Sequence, residues 1–427
     1  MKGEVGMGTG QCVHCGLCLS SCPTYVTTGL ESESPRGRVF LLERIYEDPS
    51  LLNRHAAKAL DDCLDCRACE AACPAHVPTG HLIEAWRAQT AKSEFPELQP
   101  ESFGIFRKVS RPLQWFFGSP RGLKWFQRLV RLSKKPTMGS WLTRIKWMPA
   151  RVEGMALGLP NTIPKRLSRF YRPKGGSEFP QQVMLFVGCV MDTVYADTNR
   201  HTVDLLSLGQ VQTVIPKNQR CCGALHIHGG QPEVARQWAR ENIDAFESSG
   251  ASRIIVTAAG CSAMLKEYRD LFDLDDPFRE RAERFQNAVI DVTALLPDLP
   301  LPDIEKPKQQ VMVSVHDPCH LAHAQGIKPE IRQILDKAGY SICEMTDSDR
   351  CCGAAGIYNL THPEMAQELL ARKVSTVPQQ AQWVAAANPG CLLHIQSGLK
   401  EQSRTPRAIH PVDLVWMAYQ AHGFWSD

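Results

Sequence analysis

Two cysteine runs of identical spacing constrain the start of the chain more than any other feature. Cys12, Cys15, Cys18 and Cys22 precede Pro23, and Cys63, Cys66, Cys69 and Cys73 precede Pro74; both read C-x2-C-x2-C-x3-C-P. Three thiolates two residues apart wrap one face of an iron-sulfur cubane, and the fourth, set off by a longer spacing and a proline, is directed to the other cluster. The spacing therefore predicts two 4Fe-4S clusters with exchanged ligands. Cys12, Cys15, Cys18 and Cys73 would hold one, and Cys63, Cys66, Cys69 and Cys22 the second. Zinc also accepts C-x2-C pairs, but two such pairs already fill its four positions, and the third cysteine of each run would be left over. Between the runs, Arg36 and Arg38 precede a helix-like stretch, Val39 to Tyr46. They either donate toward cluster sulfurs or a docking partner, or cap and tie down that helix; the second role is the simpler expectation.

The later cysteines form a duplication. Cys189, Cys221, Cys222 and Cys261 map onto Cys319, Cys351, Cys352 and Cys391 with a constant offset of 130 residues, and Gly223, Ala224 and Gly260 map onto Gly353, Ala354 and Gly390. Such register marks a repeated structural unit. Each copy alternates strand-like and helix-like stretches. Apolar runs at 183–187, 211–215 and 253–257 in the first copy correspond to 311–315, 341–345 and 383–387 in the second, which predicts a small parallel sheet per copy. The cysteines fall just past the carboxyl ends of these strands, where open α/β sheets place ligands. Gly223 and Gly353 allow the turn that points adjacent thiolates at one site. These eight residues read as ligands of a further iron-sulfur or metal centre. Cys343, without a counterpart in the first copy, reads as a small core hydrophobe. His316 and His320 flank Cys319, and His226 and His228 follow Cys222. An imidazole there would bind metal or move a proton, but the first copy lacks histidines matching His316 and His320, so packed or hydrogen-bonded roles are favoured.

The chain has 427 residues, enough for two to four domains, with 43% hydrophobic and 22% charged residues, as in ordinary globular proteins. No uninterrupted apolar run is long enough to span a bilayer, and no apolar stretch precedes Cys12, which argues against a secretory signal. In a reducing compartment the 17 cysteines read as ligands rather than disulfides. The net charge of +3 conceals an asymmetry: between Ser102 and Val152 there are twelve Lys and Arg and no acidic residue, with Trp115, Trp125, Trp141 and Trp147 among them. Arg121 to Ser133 has amphipathic spacing through Leu123, Phe126, Leu129 and Val130. A basic segment with interfacial aromatics suits an anionic membrane surface, and a solvated face over an interdomain core is the alternative. A zinc-stabilised nucleic-acid binder is disfavoured because no base-reading motif accompanies the patch. No G-x-G-x-x-G turn follows a strand, so no flavin or nicotinamide site and no catalytic residue is expected in this chain.

The runs CVHCGLCLSSCPTY, PRGR and CLDCRACEAACP, with HDPCHLAHAQ and CCGAAGIYNLTHPEMA, resemble the iron-sulfur subunits of bacterial glycolate oxidase (glycolate dehydrogenase). That resemblance implies a non-flavin subunit of an oxidoreductase complex. FAD in partner subunits would oxidise glycolate to glyoxylate, and this chain would forward electrons toward a membrane quinone from the cytoplasmic face of the inner membrane. The same layout serves lactate and anaerobic glycerol-3-phosphate dehydrogenase complexes. It also resembles the cysteine-rich heterodisulfide reductase subunit, whose units end in C-x2-C; here Met264 and His394 stand at the corresponding positions, which argues against that subunit's unusual cluster. The expected architecture is mixed α+β and α/β. A helical two-cluster ferredoxin-type domain (1–90) leads through a basic helical linker (91–179) to two parallel α/β cysteine-rich units (180–300 and 308–427).

Overall fold

The computed structural model describes residues 9–91, 167–174, 181–305 and 310–425. The basic segment 102–152, and with it the expected helix over 121–133, lies outside the described residues.

The first described block is helical. Helix Pro35–Glu47 starts at Ser34, whose Oγ accepts from the Gly37 N–H at 2.9 Å, and helix Arg54–Asp61 starts at Asn53, whose Oδ1 accepts from the His55 and Ala56 N–H groups, both at 3.0 Å. With helix Thr79–Ala91 they bury Val39, Leu42, Leu60, Ile83 and Trp86 in one small core. Cysteine loops flank this core, so its helices position the thiols rather than supply them.

Among the described residues two sheets follow. In the first, β2 (Gln182–Phe186) lies between β3 (Gln212–Val214) and β4 (Arg253–Val256), with β5 (Val289–Asp291) outside β4 and β1 (Phe170–Tyr171) outside β3. All these pairings are parallel except that of β1 with β3. In the second, β6 (Met312–Val315) lies between β7 (Ser341–Ile342) and β8 (Trp383–Ala385), with β9 (Arg407–Ile409) outside β8, parallel throughout. The three strands expected in each copy are present, most of them shorter than their apolar runs. The fourth strand of each sheet and the antiparallel β1 were not expected. Both fourth strands are three residues long and break the constant offset, because helix Phe278–Ala288 precedes β5 while helix Pro389–Glu401 runs almost directly into β9.

Alternation explains why β2 and β4 read as unbroken apolar runs. Val183, Leu185 and Ile255 face one core, and Met184, Phe186, Ile254 and Val256 face another, each nearly or fully buried. Helices cover both faces of such a parallel sheet, so every position is apolar, and each buried side chain of this size contributes roughly 1.5–3 kcal/mol. The first of these cores is shared between the copies. Helix Pro411–Ala421 packs on helix Ala196–Leu208, with Trp416 stacked 3.9 Å from His201 and Asp413 bonded to Thr198 and His201, both at 2.8 Å.

The carboxyl ends of the two sheets meet. The Ala259 N–H donates to the Ala387 carbonyl at 3.0 Å, and the Gly260 N–H to Asn388 Oδ1 at 3.1 Å. The starts of helices Ala259–Leu265 and Pro389–Glu401, carrying Cys261 and Cys391, therefore lie side by side.

The ferredoxin-like block closes over this junction through polar contacts. Arg67, at φ +60°, lies 3.0 Å from Asp65 and within 3.5–3.6 Å of Glu70, Glu84 and Glu267. His228 pairs with Asp65 at 2.9 Å and Glu84 at 3.1 Å. Tyr358 donates its hydroxyl to the Asp62 carbonyl at 3.0 Å, and His362 Nε2 lies 3.1 Å from Asp61.

Candidate metal centres

The first block brings its cysteines together across the two runs. A small cavity of about 20 Å³ is lined by Cys22, Cys63, Cys66 and Cys69, with Arg38 at its wall. Burial pushes the Cys66 and Cys69 thiols well above their ordinary range, and Cys22 is near enough to both to add to the rise. Cys73 lies on the other side: burial raises the Cys18 thiol, and Cys12 and Cys73 contribute to it. Cys22 thus faces the second run and Cys73 the first, while Cys15 is exposed. The raised Cys18, Cys66 and Cys69 thiols hold their protons, and a metal that takes them as thiolates releases those protons.

Arg36 and Arg38 divide the two roles weighed from the sequence. Arg36 grips Glu31 through two bonds of 2.8 and 3.0 Å and donates to the His14 carbonyl at 3.2 Å, tying the first cysteine loop to its helix. Arg38 is buried; it donates to the Ala59 carbonyl at 2.7 Å and Thr24 Oγ1 at 3.0 Å, and its Nη1 also reaches Cys22 Sγ at 3.7 Å. It both ties the helices and sets a fixed positive charge beside the Cys22 and Cys63 sulfurs.

All eight cysteines of the duplicated units line one cavity of about 280 Å³, and so does Cys63. Its remaining wall is largely apolar, including Met191, Leu225, Ile357 and Leu360. The Cys189 and Cys221 sulfurs are 3.5 Å apart and those of Cys222 and Cys261 3.4 Å, free thiols in each case. Gly223 and Gly353 adopt φ of +92° and +89°, as the adjacent cysteines require, and a Cβ at Gly353 would meet the Ala366 carbonyl at 2.7 Å. Contact between neighbouring sulfurs splits the thiols: Cys221, Cys319 and Cys352 are held well below the ordinary range, and their partners Cys189, Cys222, Cys351 and Cys391 are pushed well above it. Eight soft sulfur donors converging on one largely apolar cavity fit an iron-sulfur or other thiophilic centre. Cys343 stays apart, packed with Met345 and Val374 in a core.

The histidines separate by environment. His226 bonds Gln231 at 3.1 Å and packs edge-on against Trp238, so it is structural. His228 belongs to the carboxylate junction, and His320 Nδ1 lies 3.6 Å from Cys319 Sγ. His316 is fully buried, with one ring nitrogen within 4.8 Å of the Cys352 and Cys391 sulfurs.

A family described as a 4Fe-4S dicluster domain matches residues 8–77, and a cysteine-rich domain family matches twice, at 183–266 and 313–396. The chain is 33% identical over 419 residues to the probable glycolate oxidase iron-sulfur subunit of Bacillus subtilis, covering 95% of this chain and 92% of that one. The chain belongs to the family of glycolate oxidase iron-sulfur subunits. The subunit of that name from Escherichia coli is 30% identical over 416 residues, 96% of this chain and 94% of that one. Lactate utilization protein A of Oceanobacillus iheyensis is 27% identical over 237 residues, 55% of this chain. As a member of the glycolate oxidase iron-sulfur subunit family, the protein is an electron-transfer, non-flavin subunit of an oxidoreductase complex. Among the described residues no helix is long and apolar enough to cross a membrane.

Proposed function

We propose that this chain draws electrons from a partner flavoprotein that oxidises glycolate to glyoxylate and passes them toward a membrane quinone. One observation carries the reading: Cys63 lines both the small ferredoxin-type cavity and the large one shared by the duplicated units. The donor sets are therefore contiguous, as a conduit requires and a set of separate structural zinc sites does not.

In this reading Cys12, Cys15, Cys18 and Cys73 hold one 4Fe-4S cluster and Cys63, Cys66, Cys69 and Cys22 the other. Cys189, Cys221, Cys222 and Cys261 in the first copy, and Cys319, Cys351, Cys352 and Cys391 in the second, hold further iron-sulfur or metal centres, four ligands per copy. Bound clusters supply one-electron chemistry whose potential follows burial and hydrogen bonds to sulfur. The chain's own part is to position the thiols, set the Arg38 charge beside one group and keep water from the large cavity with apolar walls. Electrons enter or leave at the exposed Cys15, where Val13, Leu17 and Phe40 are also exposed, at 73%, 61% and 45%, and form an apolar rim for the flavoprotein to cover.

FAD stays in the partner, and residues 102–152 rest on the cytoplasmic face of the inner membrane. That placement is supported by the segment's twelve cations and four tryptophans. The division at 1–90, 91–179, 180–300 and 308–427 goes with this reading. Lactate is the second substrate reading, favoured by the similarity to lactate utilization protein A, but that likeness spans 55% of the chain against 95% for the glycolate relative.

The test is anaerobic co-purification with the flavoprotein and assay of glycolate-dependent dye reduction, alongside iron and acid-labile sulfide. About eight or more irons with glycolate turnover is the expected outcome. Colourless zinc protein would end the redox reading, and lactate turnover with glycolate inert would end the glycolate assignment.

A further inference from the structure

The second duplicated unit contains a nitrogen donor that the first lacks. His316 sits one residue beyond β6 with none of its surface exposed, and its backbone N–H donates to the Ala385 carbonyl at 2.9 Å. Its Nδ1 lies 2.9 Å from the Ser348 carbonyl oxygen. A carbonyl only accepts, so Nδ1 carries the ring proton, and the neutral imidazole keeps a lone pair on Nε2. That Nε2 is buried without a hydrogen-bond partner, while a ring nitrogen of His316 and the sulfurs of Cys352 and Cys391 lie within 4.8 Å of one another.

The carbonyl that orients the ring is itself fixed. It also accepts from the Asp317 N–H at 3.0 Å and from Lys373 Nζ at 3.3 Å, and the Ser348 hydroxyl bonds Asp317 at 2.7 Å. Asp317 in turn is gripped by Arg332 through two bonds of 2.8 and 3.0 Å. A ring held through Nδ1 by a rigid acceptor, with Nε2 free and aimed at thiols, is how proteins present histidine to a metal. In the first unit the position 130 residues earlier is Phe186, buried and without a donor.

We propose that His316 ligates, through Nε2, the metal centre of the second duplicated unit together with Cys352 and Cys391, so that the two units hold centres of different donor sets. This rests on the reading that the duplicated cysteines bind metal. Where the imidazole takes the place of one of the unit's four thiolates it puts less negative charge on the centre, and the second unit then has the higher potential of the two if both hold iron-sulfur clusters. Thiolate and imidazole also suit zinc, and the elemental content distinguishes the two.

The experiment uses the full chain purified anaerobically with its flavoprotein partner and grown with 15N-labelled histidine. Iron, zinc and sulfide are counted for wild type, His316→Phe and a Cys352→Ser/Cys391→Ser double variant. Nitrogen coupling is read by pulsed paramagnetic resonance for iron, or imidazole scattering by X-ray absorption for zinc. The expected result is a histidine nitrogen signal in the wild type that is absent in His316→Phe, whose metal is lost to a chelator at least about tenfold faster. A His320→Gln variant, whose imidazole in the wild type lies 3.6 Å from Cys319 Sγ, should keep the signal, and its loss there would overturn the inference, so a misfolded His316→Phe leaves the test standing. Metal lost in the double variant with no histidine nitrogen bound in the wild type overturns the inference. Unchanged metal content in the double variant overturns instead the reading that this unit binds metal.

Discussion

Replacing Arg67 by methionine tests whether the polar junction between the ferredoxin-like block and the first duplicated unit holds the donor sets in contact. The Arg67 side chain is 4% exposed, 3.0 Å from Asp65 and 3.5–3.6 Å from Glu70, Glu84 and Glu267. At such separations a unit charge pair is worth about 5 kcal/mol at an effective dielectric of 20, and most of that offsets the cost of burying the ions. Removing the cation leaves Asp65, 2% exposed, and Glu84, 11% exposed, with His228 between them, His81 3.5 Å from Glu84 and the Arg87 charge near Asp65, none of which replaces the Arg67 contacts to Glu70. Breaking a buried pair on one side costs about 3–5 kcal/mol, and that is the expected loss. Arg281→Met is the internal control. Its ion pairs with Asp244 and Glu247 lie at the surface, and its loss should cost about 1 kcal/mol or less. Anaerobic guanidinium unfolding, followed by cluster absorbance together with hydrogen exchange of helix Thr79–Ala91, reads both variants. A cost for Arg67→Met no larger than that for Arg281→Met would refute the argument that buried charge clamps the junction.

Cys73→Ser should bleach the cluster assigned to Cys12, Cys15 and Cys18 and spare the one beside its own sequence neighbours; paramagnetic resonance of the reduced protein shows which is lost, and loss of the neighbouring cluster alone would break the exchanged assignment. Arg38→Met removes a cation whose Nη1 lies 3.7 Å from Cys22 Sγ, so the reduced, more negative state is disfavoured and the midpoint potential falls, on the order of tens of millivolts. A redox titration that finds it unchanged or raised contradicts this. Burial alone would lower the His228 pKa, but Asp65 and Glu84 raise it to about 10. Its folded value lies above the unfolded one, so its stabilisation is complete below about pH 6.5 and fades as pH rises toward 10. One pKa unit corresponds to about 1.4 kcal/mol, and partial exposure of the ring leaves at most a few kcal/mol. Hydrogen exchange at the junction should therefore accelerate across that window, and His228→Gln should flatten the profile.

Both cysteine groupings were legible before any coordinates, because thiolate chemistry writes itself into short spacings and a repeat writes itself into a constant offset. The central strands were legible for a similar reason: β2 and β4 are buried on both faces, which forces continuous apolar runs such as Val183 to Val187. β5 (Val289–Asp291) and β9 (Arg407–Ile409) each contain a charged residue and fall out of register between the copies, so neither an apolar run nor the repeat marks them. The histidines were visible but unsorted, since nothing in HDPCHL says that His316 lends its proton to the Ser348 carbonyl, 32 residues away.

What the order of residues settles in this protein is therefore which donors exist and which local turns aim them, since spacing, glycine at a positive φ and proline all act over a few bonds. Whether those donors form isolated sites or one contiguous set depends on contacts between residues far apart in the chain. The Ala259 N–H reaches Ala387, Arg67 reaches Glu267, and His228 reaches Asp65. Charge pairing and close packing across 100 residues or more leave no periodic trace in a sequence, and only the folded chain brings Cys63 to the cavity of the duplicated units.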